Sequence, residues 1–379
     1  MLNMNVLDFI NAHDNWEELL TQPPYCITVK RDGQYILFKY NQLNSDFSES
    51  IVRECRGSIF YQNQDGKYEC ICRAFDKFGN YSEPYVSDID WTSVCVQEKV
   101  DGSLIKLWCH NGGWHISTNG LVNAFSAEIN DLEFSFGDLF YEAIGGEDRF
   151  KQFCRILDPN YTYMFELVSP KSRLTIFYPE TKLYYLGQRD MHTMKEIHRH
   201  CCVMEQEYGI LFPRVYSLST LDDCLKYVQS MSRDEEGFVV VDKDFNRMKI
   251  KSPEYLMAFH LNNNGAVTVK RIINMIKNNV IDDFLAYCPY YKDDVQKVVN
   301  VLNTVTHIMQ NNWNTITKSG VPTDRKEFAA LATRYRNSDY LFAKYDDPKL
   351  NVMDWLMSCF TRKIIRIIKQ HERAINHGY

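Results

Sequence analysis

Val94-Cys95-Val96-Gln97-Glu98-Lys99-Val100-Asp101-Gly102-Ser103-Leu104-Ile105-Lys106-Leu107-Trp108 is the stretch on which the reading of this chain turns. Apolar residues on both sides of Lys99 predict two strands, and Asp101-Gly102 is a favoured hairpin dipeptide. The expectation is a strand that delivers a lysine, a tight turn, and a second strand that leaves. An amine held at a strand end, among buried groups and cations, becomes a nucleophile. The same dipeptide recurs at Asp32-Gly33 and Asp65-Gly66 with nothing reactive obvious beside it. An ordinary turn with an exposed lysine is therefore the rival reading, and the rest of the chain has to decide.

The 379 residues suffice for two domains. Hydrophobic residues make up 45% and charged residues 24%, a composition that folds around a core. No apolar run approaches a membrane span, and Met1-Leu2-Asn3-Met4-Asn5 lacks the basic start and long apolar stretch of a secretion signal. The twelve cysteines are expected as reduced thiols in the cytoplasm. Cys70-x-Cys72 and the group His198, His200, Cys201 and Cys202 lack zinc-site spacing or a second ligand cluster. A net charge of −6 excludes a bulk basic surface, although local basic patches still bind phosphate.

Strand signals dominate the first two thirds. Hairpins are predicted from Cys26–Arg31 with Gln34–Tyr40 and from Gly57–Tyr61 with Lys67–Arg73. Further strands are predicted at Gly113–Thr118, Tyr161–Val168, Arg173–Tyr178, Lys182–Gly187, Gly237–Asp242 and Arg247–Lys251. Helices are predicted over Asp8–Leu20, between about Leu121 and Cys154, near His192–Gln206 and over Leu221–Met231. After Lys251 the strand pattern ends. Leu261-Asn262-Asn263-Asn264-Gly265 reads as a linker, and Val269–Asn278, Asp282–Tyr287, Asp293–Ile316, Asp324–Asn337 and Val352–Ile375 read as helices. The expected fold class is α+β, with an antiparallel-sheet domain over 1–262 and a smaller all-α domain over 263–379.

Other segments supply what a lysine nucleophile acting on a nucleotide needs. Glu54-Cys55-Arg56-Gly57 puts an arginine at a strand start, next to a glycine that lets a ligand approach. Lys77 adds a cation. Glu166 lies inside an apolar strand, where a carboxylate requires a partner. Glu236 lies at a strand entrance. Lys249 and Lys251 share one strand face, which suits a triphosphate and repels a proton from a neighbouring amine. The bland alternative for the lysine pair is a solvated strand face.

In this order and spacing the segments resemble the ATP-dependent RNA ligases of the RNA ligase 1 type, known from T-even bacteriophages. The resemblance runs from about Tyr35 to Tyr255. Lys99-Val-Asp-Gly102-Ser is similar to the nucleotidyl-transfer motif of this covalent nucleotidyltransferase superfamily, which implies Lys99 as the adenylated residue. The resemblance further implies ATP contacts from Tyr40, Arg56, Lys77, Gly102, Lys249 and Lys251, and Glu166 against the nucleoside. Glu236 would bind near the nucleotide and its metal, and Glu98 would read the adenine amino group. Leu186-Gly-Gln-Arg189 resembles a further strand motif. One departure is Asn119-Gly120, where the family often has a lysine or arginine before the glycine.

In the second domain, Asp282 and Asp283 open a helix, where capping and the helix dipole account for them. The pair also resembles an acidic, divalent-ion-binding pair in the phage enzyme. The last helix sets Arg362, Lys363, Arg366, Lys369 and Arg373 beside Ile364, Ile365, Ile367 and Ile368, either as a solvated basic face or as a contact to RNA phosphates. The resemblance implies ATP and magnesium as cofactors and RNA with 5′-phosphate and 3′-hydroxyl ends as partner. It also implies tRNA repair in a cytoplasm (the host's if a phage encodes the chain), with a separate kinase or phosphatase preparing the ends. The rivals are a DNA ligase or mRNA-capping guanylyltransferase, which carry a compact β-barrel after the last lysine motif, and a catalytically silent protein that binds nucleic-acid ends.

Overall fold

A computed structural model describes residues 4–126, 134–172, 175–197, 202–256, 267–277, 281–288, 291–336 and 338–376. The chain divides into two compact units, 1–265 and 266–379. The first contains three antiparallel sheets.

The first sheet runs β1 (Ile27–Asp32), β2 (Tyr35–Tyr40), β3 (Arg56–Gln62), β4 (Tyr68–Cys72) in that order. Its two hairpins turn at Asp32-Gly33 and Asp65-Gly66, where both glycines take positive φ. Helices α1 (Asn5–Ala12) and α2 (Trp16–Thr21) cover it, with Val6, Ile10, Trp16 and Leu20 packed on Phe38 and Phe60. A single helix over Asp8–Leu20 was the expectation. The chain breaks at His13, whose backbone is extended. Buried Glu54, at the end of the short helix α3 (Ser50–Glu54), anchors the start of α1 by accepting from the backbone N–H groups of Asn5 and Val6.

The strands flanking Lys99 are β5 (Cys95–Glu98) and β6 (Ser103–His110), and they do not form a hairpin. β6 belongs to the second sheet with β7 (Gly113–Thr118), β8 (Tyr161–Val168), β9 (Lys182–Asp190) and β10 (Glu196–Ile197), in the order β10-β9-β8-β6-β7. β5 belongs to the third with β11 (Val215–Tyr216), β12 (Gly237–Val241) and β13 (Arg247–Lys251), in the order β11-β5-β12-β13. Lys99–Gly102 is thus the crossing from one sheet to another. Long-range bonds made by Asp101 and the close approach of Gly102 to β8, described below, override the local turn preference.

Period-two alternation aims Ile105 and Leu107, and Tyr163, Phe165 and Leu167, into one core with α4 (Phe136–Ile144) and α5 (Glu147–Arg155). The helix expected over Leu121–Cys154 is these two, split at Gly145-Gly146, both with positive φ. The expected strand Arg173–Tyr178 does not form at Thr175–Tyr178, because the N–H groups of Thr175 and Ile176 go to the Asp101 carboxylate. Arg173 itself lies outside the described residues. The helix expected near His192–Gln206 is instead a turn, β10 and then α6 (Cys202–Tyr208). Asp190 forces that turn by accepting from the N–H groups of His192 and Thr193. His198, His200 and Cys201 lie outside the described residues, whereas Cys70 and Cys72 are buried free thiols. The third sheet packs Val96, Phe238, Val240 and Ile250 against Cys224 and Val228 of α7 (Leu221–Val228).

The second unit is helical throughout its described residues. Its elements are Val269–Lys277, Ile281–Tyr287, Lys292–Ile316, Arg325–Ala332, Ser338–Asp346, Val352–Ser358 and Thr361–Asn376. Met309, Trp313, Phe328, Tyr340, Trp355 and Ile367 share its core. The helix expected over Asp324–Asn337 ends early, at Ala332, the helix Ser338–Asp346 was not expected, and the helix expected over Val352–Ile375 is divided at Cys359–Phe360. Among the described residues no helix is long and apolar enough to cross a membrane.

Candidate active site at the seam of two sheets

Lys99 leaves β5 with its N–H bonded to the Gly237 carbonyl at 2.9 Å, which sets it beside the start of β12. Two residues on, Asp101 is buried and acts as a structural pin. One carboxylate oxygen accepts from Thr175 N (2.9 Å) and Ile176 N (2.7 Å), and the other from the Tyr255 hydroxyl (3.0 Å). Burial, with the nearby Glu236 charge, pushes the Asp101 carboxyl above its ordinary range, and burial pushes the Tyr255 phenol well up. A β-carbon on Gly102 would sit 2.5 Å from the Leu167 carbonyl oxygen and 3.0 Å from Glu166 Cγ. Glycine here lets the crossing lie flat on β8 and brings Glu166 alongside.

The Lys99 ammonium meets Glu236 at 2.9 Å, and the Lys251 ammonium meets the other oxygen of the same carboxylate at 3.0 Å. The Lys99 side chain is 19% exposed, against 3% for Glu236 and 8% for Lys251. A shared carboxylate thus lies between the two lysines. Glu166, on β8 beside the crossing, is half-buried, and the surrounding protein pushes its carboxyl up to about 7, against the opposing pull of Lys99.

Arg56 stands at the start of β3 with its guanidinium 4.9 Å from the Phe75 ring and 5.7 Å from Phe78. Its Nη1 is buried and has no hydrogen-bond partner among the described residues. Lys249 is buried with its ammonium 5.8 Å from the same Phe78 ring, so Arg56 and Lys249 flank one aromatic side chain. The bland alternative of a solvated face for Lys249 and Lys251 is not found, since both side chains are buried. Phe75 also carries Arg247 at 4.9 Å. Arg247 and Arg189 each pair with buried Glu196 at 2.6 Å, which ties the second sheet to the third.

Lys77 and Tyr40 meet each other, at 5.6 Å from ammonium to ring, with Phe47 at 5.2 Å from the same ammonium. Both are buried, Tyr40 at the end of β2 and Lys77 in the segment after β4. The Glu98 carboxylate accepts from the Arg214 N–H at 3.2 Å, as a strand-edge glutamate would. Asn119 packs against Gly57, the residue after Arg56, and its buried Oδ1 has no partner among the described residues. Asp282 and Asp283 lie in the helix Ile281–Tyr287 of the second unit, and the side chain of Asp283 is outside the described residues. No group of three His, Cys, Asp or Glu side chains that could hold a metal occurs among the described residues. The functions of Asp101 as a pin and of Lys106 beneath Gly57 were not foreseen. Their only sequence signal was a charged residue at an inward strand or turn position.

Antiparallel sheets meeting at an ion-paired lysine, with an arginine nitrogen lacking a partner nearby, fit the covalent nucleotidyltransferases as a class. A family model described as RNA ligase matches residues 54–255, just over half of the chain and the whole span from Arg56 to Tyr255. The chain belongs to the RNA ligase family. It is 30% identical over 312 residues to an Autographa californica nuclear polyhedrosis virus protein described as "Putative bifunctional polynucleotide kinase/RNA ligase". That alignment covers 78% of this chain and 43% of the viral protein, so the chain spans less than half the length of that relative. It is 23% identical over 388 residues to an RNA ligase of Rhodothermus phage RM378, covering 84% and 87% of the two chains. Among solved structures, an archaeal ATP-dependent RNA ligase aligns at 13% identity and TM-score 0.43 over 86% of this chain and 88% of that one.

Proposed function

We propose that this protein seals RNA ends with ATP, through a lysyl–AMP on Lys99. The observation that carries the reading is the chain of ion pairs Lys99–Glu236–Lys251 at the seam of the two sheets. An incoming triphosphate competes with Glu236 for both ammonium groups, so nucleotide binding and release of the amine are one event. Lys99 Nζ then loses a proton and forms a bond to the α-phosphorus. The bond to the bridging oxygen breaks, and pyrophosphate leaves. Arg56, Lys249 and Lys251 stabilise the charge that develops on the phosphates. AMP passes next to an RNA 5′-phosphate, and an RNA 3′-hydroxyl attacks that activated phosphate and expels AMP.

Tyr40 and Lys77 are assigned to the outer part of the nucleotide site, Glu166 to the nucleoside and Glu98 to the adenine edge. Gly102 serves by letting the backbone approach. The residues fit a magnesium ion that arrives with the nucleotide: Glu166 and Glu236 both act on Lys99, and magnesium is commonly held by one or two carboxylates plus substrate phosphates. When bound, the ion neutralises phosphate charge. Asp282 and Asp283 are proposed as a second acidic site, in the helical unit. Broken tRNA is the proposed substrate, with its ends prepared by a separate kinase and phosphatase.

Mass spectrometry after incubation with ATP and magnesium tests the reading. An AMP-sized increment is expected on Lys99. Lys99→Ala should lose it yet still join RNA that carries a pre-adenylated 5′ end. An adduct that persists in Lys99→Ala would remove Lys99 from the reaction.

A further inference from the structure

Lys106 is fully buried in the middle of β6. Its ammonium donates to the Gly57 carbonyl, and no carboxylate pairs with it among the described residues. A charge kept in the interior without a counter-charge is costly, and a chain with no use for it would do better with an apolar side chain of the same length.

Its surroundings are unusual in the same way. A β-carbon placed on Gly57 would lie 2.9 Å from Lys106 Nζ and 2.6 Å from Asn119 Cα, so all three residues converge on one point. Arg56 is the neighbour of that point in the chain, and its positive charge is felt at Lys106. Arg56 Nη1 and Asn119 Oδ1 are both buried here and lack partners among the described residues. The Asn119 amide can present its NH₂ instead by a simple flip. Glu166 is felt at Arg56, but Lys106 has no carboxylate partner among the described residues, and the two basic side chains with the amide favour an anion at this point. Asn119 brings no charge to it, and Lys106, on the adjacent strand, does.

We propose that Lys106 is a positioning residue of the nucleotide site. It fixes the Gly57 carbonyl, and with it Arg56, and sets an amine able to carry positive charge behind the place where the polyphosphate of ATP binds. Being fully buried, it touches no ligand itself. The proposal rests on the reading of Arg56 as a phosphate contact, and the test separates the two.

Full-length wild type, Lys106→Met, Lys106→Gln and Arg56→Ala are compared in ATP-dependent formation of the protein–AMP adduct. Lys106→Met removes both charge and donor, and Lys106→Gln keeps a donor without the charge. Both should raise KM for ATP about tenfold, roughly 1.4 kcal/mol. Both should weaken inhibition by inorganic pyrophosphate by the same factor and leave inhibition by adenosine, which has no phosphate, unchanged. Melting curves establish folding, and the glutamine variant carries the test if the methionine variant does not fold. Unchanged KM and pyrophosphate inhibition in folded variants would overturn the proposal. So would an equal loss toward adenosine, which marks a general structural defect. A loss confined to sealing of 5′-phosphorylated RNA by pre-adenylated enzyme would place the anion on RNA and overturn it as well. Loss in Arg56→Ala alone removes only the role of Lys106, whereas an unaffected Arg56→Ala removes the reading of Arg56 and this proposal with it.

Discussion

Replacing Glu166 with glutamine removes an ionisation while keeping the size of the side chain. Its carboxyl titrates at about 7 in the folded protein against an ordinary value of 4.5, raised by burial and opposed by Lys99. Because the folded value is the higher one, protonation favours the folded state. That stabilisation is complete below about 4.5 and is lost as pH rises through 7. The shift corresponds to about 3 kcal/mol, and the partial solvent contact of Glu166 reduces this to about 2 kcal/mol. Glutamine stays neutral and keeps the stabilisation at every pH. The melting temperature of Glu166→Gln without nucleotide should therefore gain on wild type between pH 5 and pH 8, by roughly 4–8 °C. Scanning fluorimetry across that range reads the difference directly. Two parallel curves, separated by the same amount at pH 5 and pH 8, would refute the burial argument.

Gly102→Ala forces a carbon against the Leu167 carbonyl oxygen at 2.5 Å. It should cost about 2–3 kcal/mol in urea unfolding and slow adduct formation at least about tenfold, a loss of roughly 1.4 kcal/mol in transition-state stabilisation. Wild-type stability and rate together would show that β8 yields freely. A fragment of residues 1–265, the first compact unit, should still form lysyl–AMP. It should lose preference for structured, tRNA-like breaks over linear RNA, and unchanged discrimination in a soluble, folded fragment would show that the helical unit does not choose the RNA.

The sequence could be read where partners are close in the chain. The hairpins at Asp32-Gly33 and Asp65-Gly66 form because the turn residues and the alternation of the flanking strands agree. Strands β8, β12 and β13 were legible from apolar runs, and Lys249 and Lys251 from the period of two. The local signal misled wherever a distant group took the backbone bonds. Asp101-Gly102 has hairpin chemistry, yet its strands pair elsewhere because Asp101 bonds Thr175, Ile176 and Tyr255. Arg173–Tyr178 has a strand composition, but the N–H groups of Thr175 and Ile176 are spent on that same carboxylate. Lys106 shares its strand face with Leu104 and Trp108, which marks it as inward, but only the packing on Gly57 shows what it does there. Glu236 was legible as an acid at a strand entrance. Its sharing between two lysines was not, because Lys99 is 137 residues away.

That separation has a consequence for how the protein comes into being. Asp101 waits still longer, 154 residues, for Tyr255. Loops of this length close late, since the entropy of bringing their ends together is spent before any contact is gained. The first sheet, with its local hairpins, can form early on the ribosome. The crossing at Lys99 can be completed only after Tyr255 has emerged, because β12, β13 and the Asp101 pin all come from that later stretch. A partly made chain therefore has its lysine but no site. On the proposed reading of Lys99, adenylation competence would arise as the sheet-rich unit closes, and the first AMP transfer would report that the unit has finished folding.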